Sequence, residues 1–124
     1  MAKYVELVIG GSVGTISRYL LGGFVYSVLG TSFPYGTLVI NLLGCFIIGF
    51  LTTMAEEKFL LGSNVRVMLM IGFCGAFTTF STLILETNNL LRDGEMMRAF
   101  TNLAVSIIAG LILFRIGIVV AEII

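Results

Sequence analysis

Four long apolar stretches make up most of the chain, and short polar stretches separate them. They cover about residues 4–29, 35–54, 65–90 and 97–123. A helix needs about 20 residues to cross the hydrocarbon core of a bilayer, so each stretch is long enough to span it once. The only proline, Pro34, stands where the second helix can begin. The pattern predicts an all-α integral membrane protein whose four helices form one domain over residues 1–124.

Composition supports this interpretation and excludes several classes of protein. The chain is 58% hydrophobic and 11% charged, with a mean hydropathy of +1.10, whereas soluble domains are about half apolar. It has no histidine, which is the commonest general base and the commonest metal ligand. Cys45 and Cys74 both lie inside apolar stretches, where a disulfide framework would be unusual. We therefore expect no enzyme, assign no catalytic residue, and interpret both cysteines as small core residues.

The third apolar stretch contains an unusual concentration of small and hydroxyl residues at positions 72–82, GFCGAFTTFST. Glycine is a weak helix former, and neighbouring threonines can hydrogen-bond to the main chain. The sequence therefore predicts a break in the third helix near Gly75, Thr78 and Thr79. Backbone groups released in a bilayer must face protein, an ion or water. The alternative is that the small residues only allow helices to pack closely.

Polar positions in the other spans also fall on single helical faces. Gly10, Gly14 and Arg18 follow one another at intervals of four, so they share a face of the first helix. An arginine at that depth must snorkel, pair or face a water-filled cavity. Asn41 is the only amide of the second span. Its side chain could line a pore, or it could simply join two helices by a hydrogen bond.

Positive charge at the ends of the spans is nearly balanced between the two sides of the membrane. One side receives Lys3, Lys58 and Arg66, to which Arg115 could be added, and the other receives Arg92 and Arg98, to which Arg18 could be added. Cytoplasmic loops normally hold a surplus of Lys and Arg, and here that surplus is missing. The balance favours a chain that inserts in both orientations. A single orientation set by another signal is the alternative.

Taken together, these motifs resemble the Fluc (CrcB-like) fluoride channels. The resemblance extends over all four spans, from the glycines and arginine of 10–18, through Gly36-Thr37-Leu38 with Asn41, to the run at 72–82, which is its most specific part. It implies an antiparallel, dual-topology homodimer in the inner (plasma) membrane. The dimer would export cytoplasmic fluoride passively through two pores. It would also hold one structural sodium ion at the break in the third helix.

The resemblance also assigns roles to individual residues. Sodium would be bound by the main-chain carbonyls of Gly75 and Thr78, and Arg18 would lie in an aqueous vestibule. The fluoride pore would be lined by Asn41, Phe80, Ser81, Thr82, Leu83 and Ser106. Two positions depart from the family pattern, because members commonly have a phenylalanine where this chain has Leu83 and a tyrosine where it has Asn102. Leu83 has no ring edge to offer an anion.

Two other functions remain as alternatives at this point. A small dual-topology multidrug transporter has a similar size and charge balance, but it needs an intramembrane carboxylate, for which Glu86 is the only candidate. A purely structural membrane subunit would explain the packing glycines. It would not explain Asn41 together with the threonine-rich run.

Overall fold

The computed structural model describes all 124 residues, and every regular element in it is helical. Three spans are continuous helices: α1 (Ala2–Leu29), α2 (Tyr35–Glu56) and α6 (Met96–Ile123). The third span consists of α3 (Ser63–Arg66), a π-helical segment (Val67–Phe73), α4 (Cys74–Phe77) and α5 (Phe80–Arg92). Four helical segments are thus long and apolar enough to cross a membrane. The predicted four-helix, all-α architecture is confirmed, with bounds within about two residues of those predicted.

Thr78 and Thr79 lie between α4 and α5 and have extended backbone conformations. Their φ and ψ angles are −86° and 157° for Thr78, and −151° and 111° for Thr79. The Thr79 hydroxyl caps α5, because its oxygen accepts a hydrogen bond from the backbone N–H of Thr82 at 3.3 Å. Threonine is a favoured residue at such a position. The third span therefore changes backbone conformation at the Thr-Thr pair and resumes its helix at Phe80.

Helix α1 packs against the first half of the third span through its glycines. A Cβ atom at Gly10 would overlap the carbonyl oxygen of Met68, and one at Gly14 would overlap that of Phe73. Gly11, on another face, has no neighbour within 4 Å of its Cβ position. The shared face predicted for Gly10 and Gly14 is confirmed, and only glycine allows the two backbones to approach so closely.

Helices α2 and α6 form the other close pair. A Cβ atom at Gly49 would overlap the carbonyl oxygen of Phe114, and one at Gly110 would lie 3.3 Å from Cys45 Sγ. Cys45 lies against Gly110 and Gly49 lies against Phe114, so contacting residues increase in number in the same direction along both helices. The two helices are therefore parallel, as the second and fourth spans of a four-helix membrane protein should be. Small residues are the expected means of contact, since lipid leaves little hydrophobic force to hold helices together.

The outside of the chain is far more apolar than that of a soluble protein. Large apolar side chains such as Tyr19 and Leu111 cover the outside, while Thr53, Thr87 and Asn102 are buried. Exposed apolar surface on this scale requires a partner such as lipid or another chain. The arrangement agrees with a protein that is embedded in a membrane.

Candidate functional site

A cavity of about 400 Å³ lies between α2, the third span and α6, next to the Thr-Thr pair. We call it the central cavity. Its walls are largely apolar, with a few polar groups, which is the usual composition of a site that binds a small ligand. It is lined by Asn41, Gly44, Cys45, Ile48, Met70, Cys74, Gly75, Thr78, Thr79, Phe80, Leu83, Ser106 and Ile107.

Asn41 is held against the backbone of Thr79 by two hydrogen bonds. Its Nδ2 atom donates to the Thr79 carbonyl at 3.0 Å, and its Oδ1 atom accepts from the Thr79 N–H at 2.8 Å. Both backbone groups of Thr79 are therefore satisfied by one side chain from α2. An amide nitrogen carries two hydrogens, so one N–H of Asn41 is not used in this pair.

At the Thr78–Thr79 pair, two carbonyl groups lack the backbone N–H donors that they would have in a continuous helix. In a continuous helix the N–H of Thr79 would bond to the carbonyl of Gly75, but here it donates to Asn41. The N–H of Thr82 would bond to the carbonyl of Thr78, but here it donates to the Thr79 hydroxyl. Gly75 and Thr78 both line the central cavity. Their carbonyl oxygens are hard, uncharged ligands of the kind that alkali and alkaline-earth cations prefer.

Phe80, Leu83 and Ser106 form the part of the central cavity that adjoins α5 and α6. Phe80 is 73% exposed, so most of its ring faces outwards from the single chain. Leu83 is 5% exposed and packs in the interior. The Ser106 hydroxyl is buried and has no hydrogen-bond partner within the chain. The aromatic ring, the aliphatic side chain and the free hydroxyl predicted from the sequence are thus brought to one wall.

A second cavity, of about 540 Å³, lies between α1, α2 and α5, and we call it the Arg18 cavity. Thr79 borders both cavities. The Arg18 side chain donates through Nε to the Ala76 carbonyl at 3.0 Å, which supplies a donor to another carbonyl of the interrupted span. Thr82 and Glu86 contribute two further polar side chains to the wall of this cavity. The cavity therefore contains one guanidinium and one carboxylate.

Glu86 lies in this cavity within a small hydrogen-bonded cluster. Its carboxylate accepts hydrogen bonds from the hydroxyl of Tyr26, at 2.8 Å, and from that of Thr37. Both carboxylate oxygens therefore have a donor. Sequence reasoning assigned Glu86 no role in the pore, although it lies four residues after Thr82 and so shares its helical face. That spacing was the signal that could have identified it.

The structure divides the sequence-predicted site residues into two groups, with one exception. Six line the central cavity: Asn41, Gly75, Thr78, Phe80, Leu83 and Ser106. Arg18 and Thr82 line the Arg18 cavity. Ser81 is exposed and borders neither cavity. The roles of all nine residues in a pore, vestibule or ion site stay predictions. Thr79, which sequence reasoning treated only as part of the break, is the residue that both cavities share.

Comparison with known proteins gives a consistent result over almost the whole chain. Residues 5–118 match the family described as CrcB-like protein, Camphor Resistance (CrcB). A protein of Citrifermentans bemidjiense is 44% identical over 122 residues, which cover 98% of each chain. One of Methylocella silvestris is 44% identical over 120 residues, 95% of this chain and 92% of the relative, and one of Nitrosococcus oceani is 41% identical over 98% of each.

All three relatives have the name fluoride-specific ion channel FluC. A channel is not an enzyme, so the expectation drawn from composition is confirmed. The chain is a multi-pass protein of the plasma membrane, as its four spans and bacterial relatives indicate. With the family match covering all four spans and relatives aligned almost end to end, the chain belongs to the CrcB-like family.

Proposed function

We propose that this chain forms a fluoride channel that lets fluoride leave the cell down its electrochemical gradient. The observation that carries the proposal is Thr79, whose backbone is held by Asn41 and which lines both cavities inside an apolar bundle. The name of the relatives supplies the ion. Two cavities that share one polar residue suit an ion path through the bundle.

Fluoride holds its water tightly, so a path through the bilayer must offer hydrogen-bond donors in place of that water. The unused N–H of Asn41 and the free hydroxyl of Ser106 are such donors in the central cavity. The edge of an aromatic ring carries partial positive charge, so Phe80 can contribute to the same task. Leu83 offers only an apolar surface, with neither a hydrogen-bond donor nor a ring edge. Fluoride passage in this chain would therefore depend more on hydrogen-bond donors than in a relative with a second phenylalanine.

The Arg18 cavity would serve as the vestibule of this path. The guanidinium of Arg18 attracts anions, and its bond to the Ala76 carbonyl fixes its position. Thr82 adds a hydroxyl donor. The Glu86 carboxylate also lines this cavity, and the hydroxyl donors of Tyr26 and Thr37 hold it in one place and partly offset its negative charge.

A sodium ion would have a structural part in this assembly. Carbonyl oxygens suit a hard cation, and Gly75 and Thr78 have lost their helical donors in favour of Asn41 and Thr79. Two carbonyls from one chain are too few ligands for sodium, so a second copy would supply two more. The ion would neutralise the carbonyl dipoles at the centre of the dimer and would not be transported.

The dimer itself is proposed as antiparallel, with two pores. Phe80 and Gly75 face outwards from the single chain, so the central cavity is open on the side where a second copy would close it. Near balance of positive charge permits insertion of the same chain in both orientations. Each protomer would contribute to both pores.

Fluoride efflux from liposomes tests the proposal directly. Purified protein is reconstituted with internal potassium fluoride or potassium chloride, and valinomycin is added to balance charge. Rapid release of fluoride with little release of chloride is the expected result. Equal release of both anions, or release of neither, would contradict the proposal. Uptake of organic cations driven by a proton gradient would favour the multidrug transporter instead, with Glu86 as its ion-binding carboxylate.

A further inference from the structure

Two charged side chains near the C-terminal end of α6, Arg115 and Glu122, have no partner within the chain. Both residues are exposed. Neither takes part in the two ion pairs of the chain, and the arginines that donate hydrogen bonds are Arg18 and Arg98. A charged group on the outside of a membrane span is costly unless it reaches a polar partner. Arg115 therefore needs a partner from outside the chain.

Arg115 and Glu122 share one face of α6, and that face points away from the bundle. Seven residues make almost two full turns, so the two side chains lie within about 20° of each other and about 10 Å apart along the axis. Gly110 and Gly117 face α2, and they lie about 140–160° around the helix from Arg115. Ser106, in the central cavity, lies about 180° from it. The charged face is thus free to meet the membrane.

An apolar groove of about 390 Å³ surrounds Arg115 on this face. Its other walls are the side chains of Leu111, Ile112, Ile116 and Val119. Leu111 and Ile112 are further from the C-terminal end than Arg115, so they lie deeper in the membrane. A groove with apolar walls and one cation fits a molecule that has both an acyl chain and an anionic group.

The depth of each charge follows from the length of α6. Its 28 residues extend over about 42 Å, which matches a bilayer with its headgroups, whereas the hydrocarbon core is about 30 Å thick. The core therefore ends about 6 Å inside each end of the helix. Arg115 is about 12 Å from the end at Ile123, and its long side chain can reach the phosphate level from there. Glu122 lies at the level of the outer headgroups.

We propose that this face of α6 binds one phosphatidylethanolamine molecule, with its phosphate at Arg115 and its ammonium at Glu122. Along the lipid the order is acyl chain, phosphate and ammonium, and along α6 it is apolar groove, Arg115 and Glu122. A guanidinium can bind phosphate oxygens through two parallel hydrogen bonds. A primary ammonium has three donors for the carboxylate, whereas the quaternary ammonium of phosphatidylcholine has none. The net negative headgroup of phosphatidylglycerol would meet Glu122 with like charge.

The lipid site is separate from the proposed ion path, because it occupies the opposite face of α6 from Ser106. Lipid binding therefore does not depend on fluoride conduction. A protein that binds the lipid but conducts no fluoride would contradict the proposed function and leave the lipid site in place.

Native mass spectrometry of the full chain, purified and stripped of lipid in detergent, tests the proposal. Phosphatidylethanolamine, phosphatidylcholine and phosphatidylglycerol with identical acyl chains are titrated separately, and thermal unfolding with each lipid is the second readout. The variants are Arg115→Gln and Glu122→Gln. Arg92→Gln removes the same charge at an exposed position near the end of α5, and it is the matched control.

The unchanged chain and Arg92→Gln should bind phosphatidylethanolamine about fivefold more tightly than the other two lipids, which is the upper end of the range for an exposed ion pair. Thermal unfolding should show the same order of stabilisation. Arg115→Gln should bind all three lipids more weakly, because it loses the phosphate contact. Glu122→Gln should lose only the preference, so that phosphatidylethanolamine and phosphatidylcholine bind equally.

Equal affinity of the unchanged chain for the three lipids would overturn the proposal. So would a preference for phosphatidylglycerol, which would mean that Arg115 acts without Glu122. If the two residues instead pair with each other or with a second copy of the chain, each variant would lower the unfolding temperature or the dimer population in lipid-free detergent and leave lipid binding unchanged. That result would also overturn the proposal.

Discussion

At the scale of single residues, the side chain of Asn41 performs a task that helices normally perform for themselves. A helical residue satisfies its N–H and carbonyl along the chain, but Thr79 satisfies both through Asn41. The pair leaves one amide hydrogen for a ligand while it holds the extended backbone in place. Asn41 is therefore both a structural partner and a candidate donor in the pore, so the two alternatives derived from the sequence are compatible.

Substitution of Asn41 by aspartate should separate these two tasks. Asn41→Asp keeps an acceptor for the Thr79 N–H but loses every side-chain donor once it is ionised. It also places a negative charge beside a carbonyl oxygen and in the path of an anion. We expect fluoride efflux from liposomes to fall at least tenfold, because each lost or unfavourable contact of this kind changes the free energy by about 1–3 kcal/mol.

The control is Asn88→Asp, the same chemical change at an exposed position near the end of α5. It should leave efflux within about twofold of the unchanged protein, since an exposed substitution rarely has an effect above about 0.5 kcal/mol. Both variants should elute as the unchanged protein does on size-exclusion chromatography. Normal efflux by Asn41→Asp would remove Asn41 from the ion path.

At the scale of elements, the glycines of α1 show how helix contact depends on the face on which a residue lies. Gly10 and Gly11 are neighbours in sequence, yet only Gly10 lies against the backbone of the third span. A side chain at Gly10 would push α1 away from the interrupted span. The bond between Arg18 and Ala76, two turns further along α1, depends on the same approach.

A pair of alanine substitutions tests this contact. Gly10→Ala should lower the free energy of unfolding by about 1–3 kcal/mol, because its methyl group would overlap the Met68 carbonyl. Gly11→Ala, which meets nothing within 4 Å, should leave stability unchanged or raise it by up to about 1 kcal/mol through better helix propensity. Thermal unfolding in one detergent compares them. Equal effects of the two substitutions would argue against the close approach of α1.

The elements were predictable from the sequence to different degrees. The spans follow from length and apolarity, since a bilayer allows few alternatives to helices of about 20 residues. The threonine pair at 78–79 signals a place where the helix is weak, but its partner on α2 could not be read from spacing within one helix. The cluster of Glu86 with Tyr26 and Thr37 was missed for the same reason, because it joins three spans. Contacts between helices depend on packing, which periodicity does not encode.

At the scale of the whole molecule, the balance of charge leads to a prediction about insertion. Two of the flanking cations are paired locally, Arg66 with Glu56 at 3.7 Å and Arg98 with Glu95 at 3.5 Å. Neither side gains a clear surplus of positive charge. We predict that the chain inserts in both orientations, with the turn between α5 and α6 on either side of the membrane.

Cysteine labelling in intact cells measures this distribution. Asp93→Cys places a thiol in that turn, in a version of the chain whose Cys45 and Cys74 are replaced by alanine. A membrane-impermeant reagent should label part of the protein and leave the rest to be labelled only after lysis. Added lysines next to residue 93 should shift the population towards the protected form. A chain that is wholly labelled or wholly protected before lysis would rule out dual insertion.

The proposed dimer makes a separate prediction at Gly75. A Cβ atom at Gly75 meets nothing within 4 Å in the single chain, so a larger side chain there should harm only an assembly. Gly75→Val should weaken dimerisation and reduce fluoride efflux, because valine would stand at the centre where two chains and the sodium ion meet. Gly11→Val, equally free of neighbours, is the control for the lower helix propensity of valine. Equal dimer populations in the two variants, measured by analytical ultracentrifugation in detergent, would contradict this arrangement.

The central claim is that the path through this protein selects fluoride, and the reversal potential of its current tests that most directly. Protein in a planar bilayer is exposed to a tenfold fluoride gradient, with chloride at equal concentration on both sides. A fluoride-selective path should give a reversal potential near the fluoride equilibrium value of about 59 mV, and inversion of the gradient should reverse its sign. A reversal potential near zero, with current still flowing, would show that chloride or cations share the path and would contradict the account.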